Sequence, residues 1–357
     1  MNKLKIGFIF GGTSSESDIS VSSATSTLKE LDKQKYEIFP IYIGKNGKWY
    51  KFLETKELKF GEEIKNKEEI ENVFKFLEDL DVIFPILHGL NGEDGSIQGL
   101  LEILNKPYVG CGILASGLGL DKAYTKVIFE KAGFKQTKYE YIRKYKEKYF
   151  YIDKEFNQEL LNIDDIIIKI KKNLKFPLFV KPSNSGSSIG ISKVIKEEDL
   201  KPAIEYASKF DKKILIEEGV KGKEVVCAVL GNEEVVASGV GEIRFLGDFY
   251  NFNSKYLHPL DKKLKADIPD ELAEKIRAQA IKAFKAIDGK GLSRIDFFIE
   301  EKTNEIIINE INTMPGFTKS SWYAKLFKAY GICWKDLINK FIDLAIENHQ
   351  NKNNNLK

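Results

Sequence analysis

The chain has 357 residues, 43% hydrophobic and 31% charged, which excludes a disordered chain and exceeds one ordinary core, so two or three domains are expected. Its 56 basic and 53 acidic residues leave a net charge of only +3, and that balance gives no whole-molecule reason to bind nucleic acid or a membrane surface. No apolar run approaches the roughly 18 residues that span a bilayer, the N-terminal KLKIGFIFGG is too short for a signal peptide, and the scattered Cys111, Cys227 and Cys333 fit a reducing cytoplasm without disulfides.

In chain order, KIGFIF predicts a strand, GGTSS its turn, and Val21, Ala24 and Leu28 a helix. KYEIFPIYI and VIFPIL predict two more strands, the second running into HGLNGEDGS. This alternation predicts a parallel, doubly wound sheet over about the first hundred residues, with ligands beyond the carboxyl ends of its strands. PYVGCGILASGLGLDKAYTKVIFEKAGF predicts a short strand, a small-residue turn and a helix through Lys126. Residues 138–172 predict a strand, a loose connection and a helix. FPLFVKP is a strand ended by Pro182, followed by a polar glycine loop and the strand GISKV. KILIEEGV, KEVVCAVLG and VVASGVGEIR predict further strands. Residues 245–266 are long, aromatic and irregular, which suits a lid. ELAEKIRAQAIKAFKAI is an amphipathic helix, LSRIDFFIE and NEIIINEI form a hairpin around Glu300 to Asn304, and helices with a polar, frayed tail close the chain.

Four stretches could carry chemistry. In the closing hairpin, period two puts Arg294 and Asp296 on one face and Glu310 and Asn312 likewise; pairing about the turn sets Asp296 opposite Glu310. Two carboxylates and an amide suit a hard ion such as Mg²⁺, while a solvated strand face is the plainer reading. VKPSNSGSSIG is not a Walker A loop, since its Lys precedes the glycines; it is either a phosphate flap rich in donors or an ordinary hairpin turn. GGTSSES lacks the dinucleotide GxGxxG spacing, and Glu16 there fits a helix cap with no further function. HGLNGEDGS places His88 at a strand end with Glu93 and Asp94 in a loop that could approach a ligand or simply turn.

GGTSSESDIS, LHGLNGEDGSIQG, VKPSNSGSSIG, YNFNSKY, SRIDFF and NEINTMPGFTKSS stand in the order seen in the D-alanine–D-alanine ligases of the ATP-grasp superfamily, and the resemblance runs from about Lys5 to about Ala345. It implies an α/β fold: a doubly wound parallel-sheet domain over 1–110, then a two-domain ATP-grasp module, with a central domain over 111–217 and a C-terminal domain over 218–357 that carries the lid. It implies ATP-dependent joining of two D-alanines through a D-alanyl phosphate for peptidoglycan precursors, with ATP as co-substrate, two Mg²⁺ ions for which Mn²⁺ can substitute, and a cytoplasmic homodimer with no nucleic-acid or membrane partner.

Carried over by position, the resemblance puts Lys122, Lys181 and Ser188 on the ATP phosphates and Glu217 and Val220 on adenine. Glu224 takes the ribose, and Lys255 the γ-phosphate when the lid closes. Asp296, Glu310 and Asn312 match the metal ligands. Glu16 matches the residue that holds the first D-alanine's ammonium, and joins Ser187 and Tyr256 in a hydrogen-bonded trio. His88 lies beside the first substrate, Arg294 and a backbone N–H near Gly316 face the oxyanion, and Ser321 with Ser320 holds the second substrate's carboxylate. The Lys255-Tyr256 pair favours a dipeptide product over D-alanyl-D-lactate; a D-lactate or D-serine ligase and another ATP-grasp carboxylate–amine ligase are the alternatives. A regulator that has lost catalysis would lack a metal ligand or Arg294, and all are present. His258 in the lid reads as a solvated loop residue.

Overall fold

Ile6, Phe8 and Phe10 alternate with Ile9 along the first apolar run, and all are buried, so this strand is covered on both faces as a parallel-sheet centre must be. It is β1 (Leu4–Gly11) in a computed structural model that describes residues 3–53, 58, 60–244 and 261–355. With β2 (Tyr36–Ile43), β3 (Trp49–Phe52), β4 (Lys67–Glu69) and β5 (Val82–Ile86) it builds a sheet in the order β4-β3-β2-β1-β5. β1 runs parallel to β2 and β5 as expected, but β3 and β4 add an antiparallel edge. The cause is a tight turn at Lys45-Asn46-Gly47, where Gly47 has φ +79° and Gly44 N–H donates to Lys48 O at 2.8 Å; so short a link can only return the chain beside itself.

The second sheet contains β6 (Tyr139–Tyr145), β7 (Lys148–Ile152), β8 (Gln158–Leu161), β9 (Leu178–Pro182), β10 (Ser192–Val194) and β11 (Lys213–Glu218), in the antiparallel order β10-β9-β11-β6-β7-β8. The loose connection expected within 138–172 is thus two strands, β7 and β8; β7 carries aromatic residues on both faces and β8 is mostly exposed, so neither shows the alternation of a half-buried strand. The third sheet contains β12 (Gly222–Gly231), β13 (Val235–Arg244), β14 (Asp261–Lys263), β15 (Gly291–Glu300) and β16 (Ile306–Asn312), ordered β14-β13-β12-β15-β16. β15 and β16 form the expected hairpin, with Asp296 opposite Glu310 and a register shift immediately after.

The helix expected through Lys126 is preceded by another, and the two, Ile113–Leu120 and Lys122–Lys131, break at Asp121. Asp121 leaves helical geometry at ψ 92° and its carboxylate accepts from Tyr124 N–H at 3.4 Å, an N-cap that restarts the helix with Lys122 as its first residue.

The helix Asp270–Ala286 lays Ile276, Ala280 and Phe284 against Cys227, Ile295 and Phe297 of the third sheet. The second sheet has its own core of Ile142, Val180 and Ile216 with Ile166, Ile170 and Ile204. One face of the first sheet packs Ile9 and Ile41 on Leu77 and Leu101. The other joins a core that reaches the C-terminal end: Phe8 and Phe84 with Val226, Phe317, Trp334 and Phe341, the Phe84 and Phe317 rings 5.4 Å apart. Thr27 Oγ1 donates to Phe317 O at 3.0 Å, and Tyr36 OH to Asn339 Oδ1 at 2.9 Å across the same seam. Among the described residues no helix is long and apolar enough to cross a membrane.

Candidate active site

A cavity of about 960 Å³ opens where the strand ends of the three sheets meet, and the sequence-selected residues converge on it from all three. Glu16 and His88 come from the first sheet's loops, Lys181, Ser187 and Glu217 from the second sheet, and Arg294, Glu310 and Asn312 from the closing hairpin. Lys122, Ser188, Val220, Glu224, Gly316, Ser320 and Ser321 also reach it. Asp296 lies just beneath, 2% exposed. Lys255 and Tyr256, with His258 and residues 245–260 of the expected lid, lie outside the described residues.

The hairpin presents the expected face. Arg294 donates through Nε and an Nη to the two oxygens of Asp296 at 2.7 and 2.6 Å, a fork-to-fork pair. Asn312 Nδ2 reaches Asp296 Oδ2 at 3.4 Å, and Lys122 Nζ stands 3.5 Å from Glu310 Oε2. Among the described residues no three His, Cys, Asp or Glu side chains gather into a metal site. Two facing carboxylates and an amide fit part of the oxygen shell of a hard divalent ion, with phosphate oxygens and water as its other ligands, provided Arg294 and Lys122 give way.

Glu217 is buried between two ammonium groups: Lys126 Nζ is 2.9 Å from Oε1, and Lys181 pairs with Oε2. Burial pushes the Glu217 carboxyl up, but Lys126 and Lys181 outweigh it and hold it below its ordinary value. Burial lowers Lys126 despite Glu217, and the like charge of Lys181 adds to the effect. Lys122 Nζ donates to Ser185 O at 2.7 Å and so touches the flap. Within that flap Ser187 and Ser188 have φ +52° and +58°, left-handed geometry that costs non-glycine residues energy and concentrates at functional sites.

Glu16 does not use its side chain as a helix cap, although it stands at the N-cap of Ser17–Leu28. Its Oε1 accepts from Ser187 Oγ of the flap instead. The carboxylate passes between two glycines: a Cβ would sit 2.6 Å from Oε2 at Gly89 and 2.7 Å from it at Gly186. His88 Nδ1 is 3.2 Å from Met314 O and 3.8 Å from Glu93 Oε1; its Nε2 is buried with no hydrogen-bond partner among the described residues. Burial disfavours the imidazolium, but Glu93, Glu16 and the Met314 carbonyl outweigh it and raise His88 above its ordinary value. Glu93 also accepts from Gly89 N at 2.9 Å and Met314 N at 3.3 Å, tying the HGLNGEDGS loop to the turn before Gly316.

Ser321 is the N-cap of the helix Trp322–Ala329, accepting from Ala324 N at 3.5 Å and donating to Thr318 O at 2.7 Å. A helix N-terminus with a hydroxyl at the cavity edge suits a carboxylate. Sequence reasoning placed Glu93 in a loop that could approach a ligand without giving it a role, and passed over Lys126 and the clearance at Gly89 and Gly186. Lys126 carried a usable signal, since Lys122 and Lys126 stand one helical turn apart and share a face.

Residues 5–111 match the family model described as D-ala D-ala ligase N-terminus, and residues 128–343 match the one described as D-ala D-ala ligase C-terminus. A protein of Acetivibrio thermocellus named D-alanine--D-alanine ligase is 43% identical, over 100% of this chain and 98% of its own length. The crystal structure of VanG D-Ala:D-Ser ligase from Enterococcus faecalis is similar at a TM-score of 0.82 and 33% identity, covering 96% of this chain and 100% of that one. The D-alanine--D-alanine ligase from Bacillus anthracis complexed with ATP is similar at a TM-score of 0.74 and 26% identity, covering 98% and 99%.

Proposed function

The chain belongs to the D-alanine–D-alanine ligase family, and on that premise we propose that it joins two D-alanines at the expense of ATP in the cavity between its three sheets. The observation that carries the reading is the convergence there of flap, hairpin and both substrate-side loops.

ATP lies between the second and third sheets, with adenine toward Glu217 and Val220, the ribose at Glu224, and the phosphates under Lys122, Lys181 and Ser188. Asp296, Glu310 and Asn312 hold Mg²⁺, which when bound neutralises charge between the phosphates and an incoming carboxylate. Glu16 takes the ammonium of the first D-alanine, and its bond to Ser187 places the flap over that substrate. His88 orients the same molecule from below. The substrate carboxylate attacks the γ-phosphorus, the bond to the bridging oxygen breaks, and ADP leaves a D-alanyl phosphate. The second D-alanine, its carboxylate at Ser321, Ser320 and the helix N-terminus, attacks that carbonyl as the free amine. Arg294 and the N–H near Gly316 meet the oxyanion, and phosphate departs. Water must be excluded until then, which is the use of the segment bearing Lys255 and Tyr256.

The protein is read from the family resemblance as cytoplasmic and as a homodimer, and sedimentation analysis of the purified chain tests the second. The function is tested by phosphate release with ATP and Mg²⁺, comparing D-alanine, D-serine and D-lactate as second substrate. Release that needs D-alanine and yields D-alanyl-D-alanine is expected; no release from folded protein, or a preference for D-serine, overturns the assignment.

A further inference from the structure

Lys126 is an ammonium with no contact to solvent chemistry. Its side chain is 3% exposed, within a helix facing the second sheet, and Nζ meets Glu217 Oε1 at 2.9 Å, Thr137 Oγ1 at 3.2 Å and the Tyr139 ring at 5.0 Å. Glu217 already has a second cation in Lys181, whose Nζ pairs with the other oxygen. One buried carboxylate with two buried ammonium groups is one cation more than the fold needs for neutrality, and unpaired buried charge is costly.

The excess becomes useful if one lysine has to leave. Lys181 lies at the end of β9, at the root of the flap and on the cavity wall, whereas Lys126 is held behind Glu217. We propose that Lys126 is a positioning residue for nucleotide binding: it keeps Glu217 charged and fixed when Lys181 exchanges that carboxylate for a phosphate oxygen. Glu217 can then accept from the adenine amino group through the oxygen that Lys181 vacates. Without Lys126, departure of Lys181 would strand a buried carboxylate, which would have to take up a proton or retain the lysine. The direction of the Glu217 displacement, held low by both lysines, agrees with this division of labour. The inference rests on the reading of the cavity as the ATP site.

Lys126→Met leaves a one-to-one Lys181–Glu217 pair, so the free protein should keep its Tm. Calorimetric titration with Mg-ADP should then give a Kd raised about tenfold or more, the factor that corresponds to one unit of carboxyl pKa. Binding by this variant should take up a proton and tighten as pH falls, because Glu217 is protonated when Lys181 leaves; the unaltered protein should take up none. In a Glu217→Gln background, adding Lys126→Met should cost little more. An unchanged Kd overturns the inference. So does a variant that fails to fold, or one whose Tm falls while its affinity loss is independent of pH and persists beside Glu217→Gln. If the unaltered protein itself does not bind Mg-ADP, the reading of the cavity falls and this inference with it.

Discussion

At the scale of single residues, Arg294 has two tasks. It forks onto Asp296 in the free protein, and in the proposed reaction it faces the oxyanion. Arg294→Ala should lower kcat by about 10²- to 10³-fold, the usual loss on removing an oxyanion donor. Mg-ADP binding, read by calorimetry, should survive; equal loss of both would mean a structural role only. The same change leaves Asp296 buried beside no guanidinium, so Tm should fall as well. His88 gives a pH signature. Its folded-state value is raised, so the stability drawn from its contacts with Glu93, Glu16 and Met314 is full below the ordinary value of 6.5 and is lost as pH rises through the raised value. The Tm difference between the unaltered protein and His88→Gln should therefore be widest below the ordinary value of 6.5 and narrow as pH rises above it; a constant difference would show that the imidazole does not titrate in the folded protein.

At the scale of elements, the hairpin was legible because two independent patterns agreed. Ile295, Phe297 and Ile311 mark the buried face, and the alternation leaves Asp296 and Glu310 opposed on the other, while Ile308 reaches the buried face only through the register shift after that pair. Phe297→Ala should cost about 3–5 kcal/mol in denaturant unfolding, as expected for a fully buried ring whose neighbours cannot collapse inward. The flap was legible as a loop, but not its shape: nothing in SNSGSS specifies two serines in left-handed geometry, the first of which donates to Glu16 from another sheet. Gly186→Ala should push the Glu16 carboxylate off Ser187 and raise the KM for the first D-alanine about tenfold to a hundredfold, the value of a hydrogen bond to a charged group. An unchanged KM would mean that the carboxylate adapts. Glu16 itself was ambiguous for the same reason, since an acid before a helix reads as a cap until its partner across 171 residues is known. Of the three strands within 138–172 the first was expected; the second and third were not, because Lys148–Ile152 carries aromatic residues on both faces and Gln158–Leu161 is mostly exposed, so neither shows a hydropathy alternation.

At the scale of the whole molecule, the parallel part of the first sheet could be read from the strand order, but which sheet shares a core with which could not. Phe8, Phe84, Phe317 and Phe341 look alike as isolated hydrophobic residues; only the tertiary fold makes them one cluster. The fragment 5–111 on its own should therefore bind a hydrophobic dye and unfold without a cooperative transition, while the full chain does neither. A cooperative, dye-silent fragment would show that the first sheet needs no cover from the C-terminal end.

That shared core has a consequence during synthesis. A ribosome releases the first sheet long before it makes Phe317, Trp334 and Phe341, the residues that cover the Phe8 and Phe84 side. At about 5–20 residues per second the interval is on the order of 10–40 s. Through it, one flank of the oldest part of the chain lacks its cover, and burial of that flank waits for the last helix to be made.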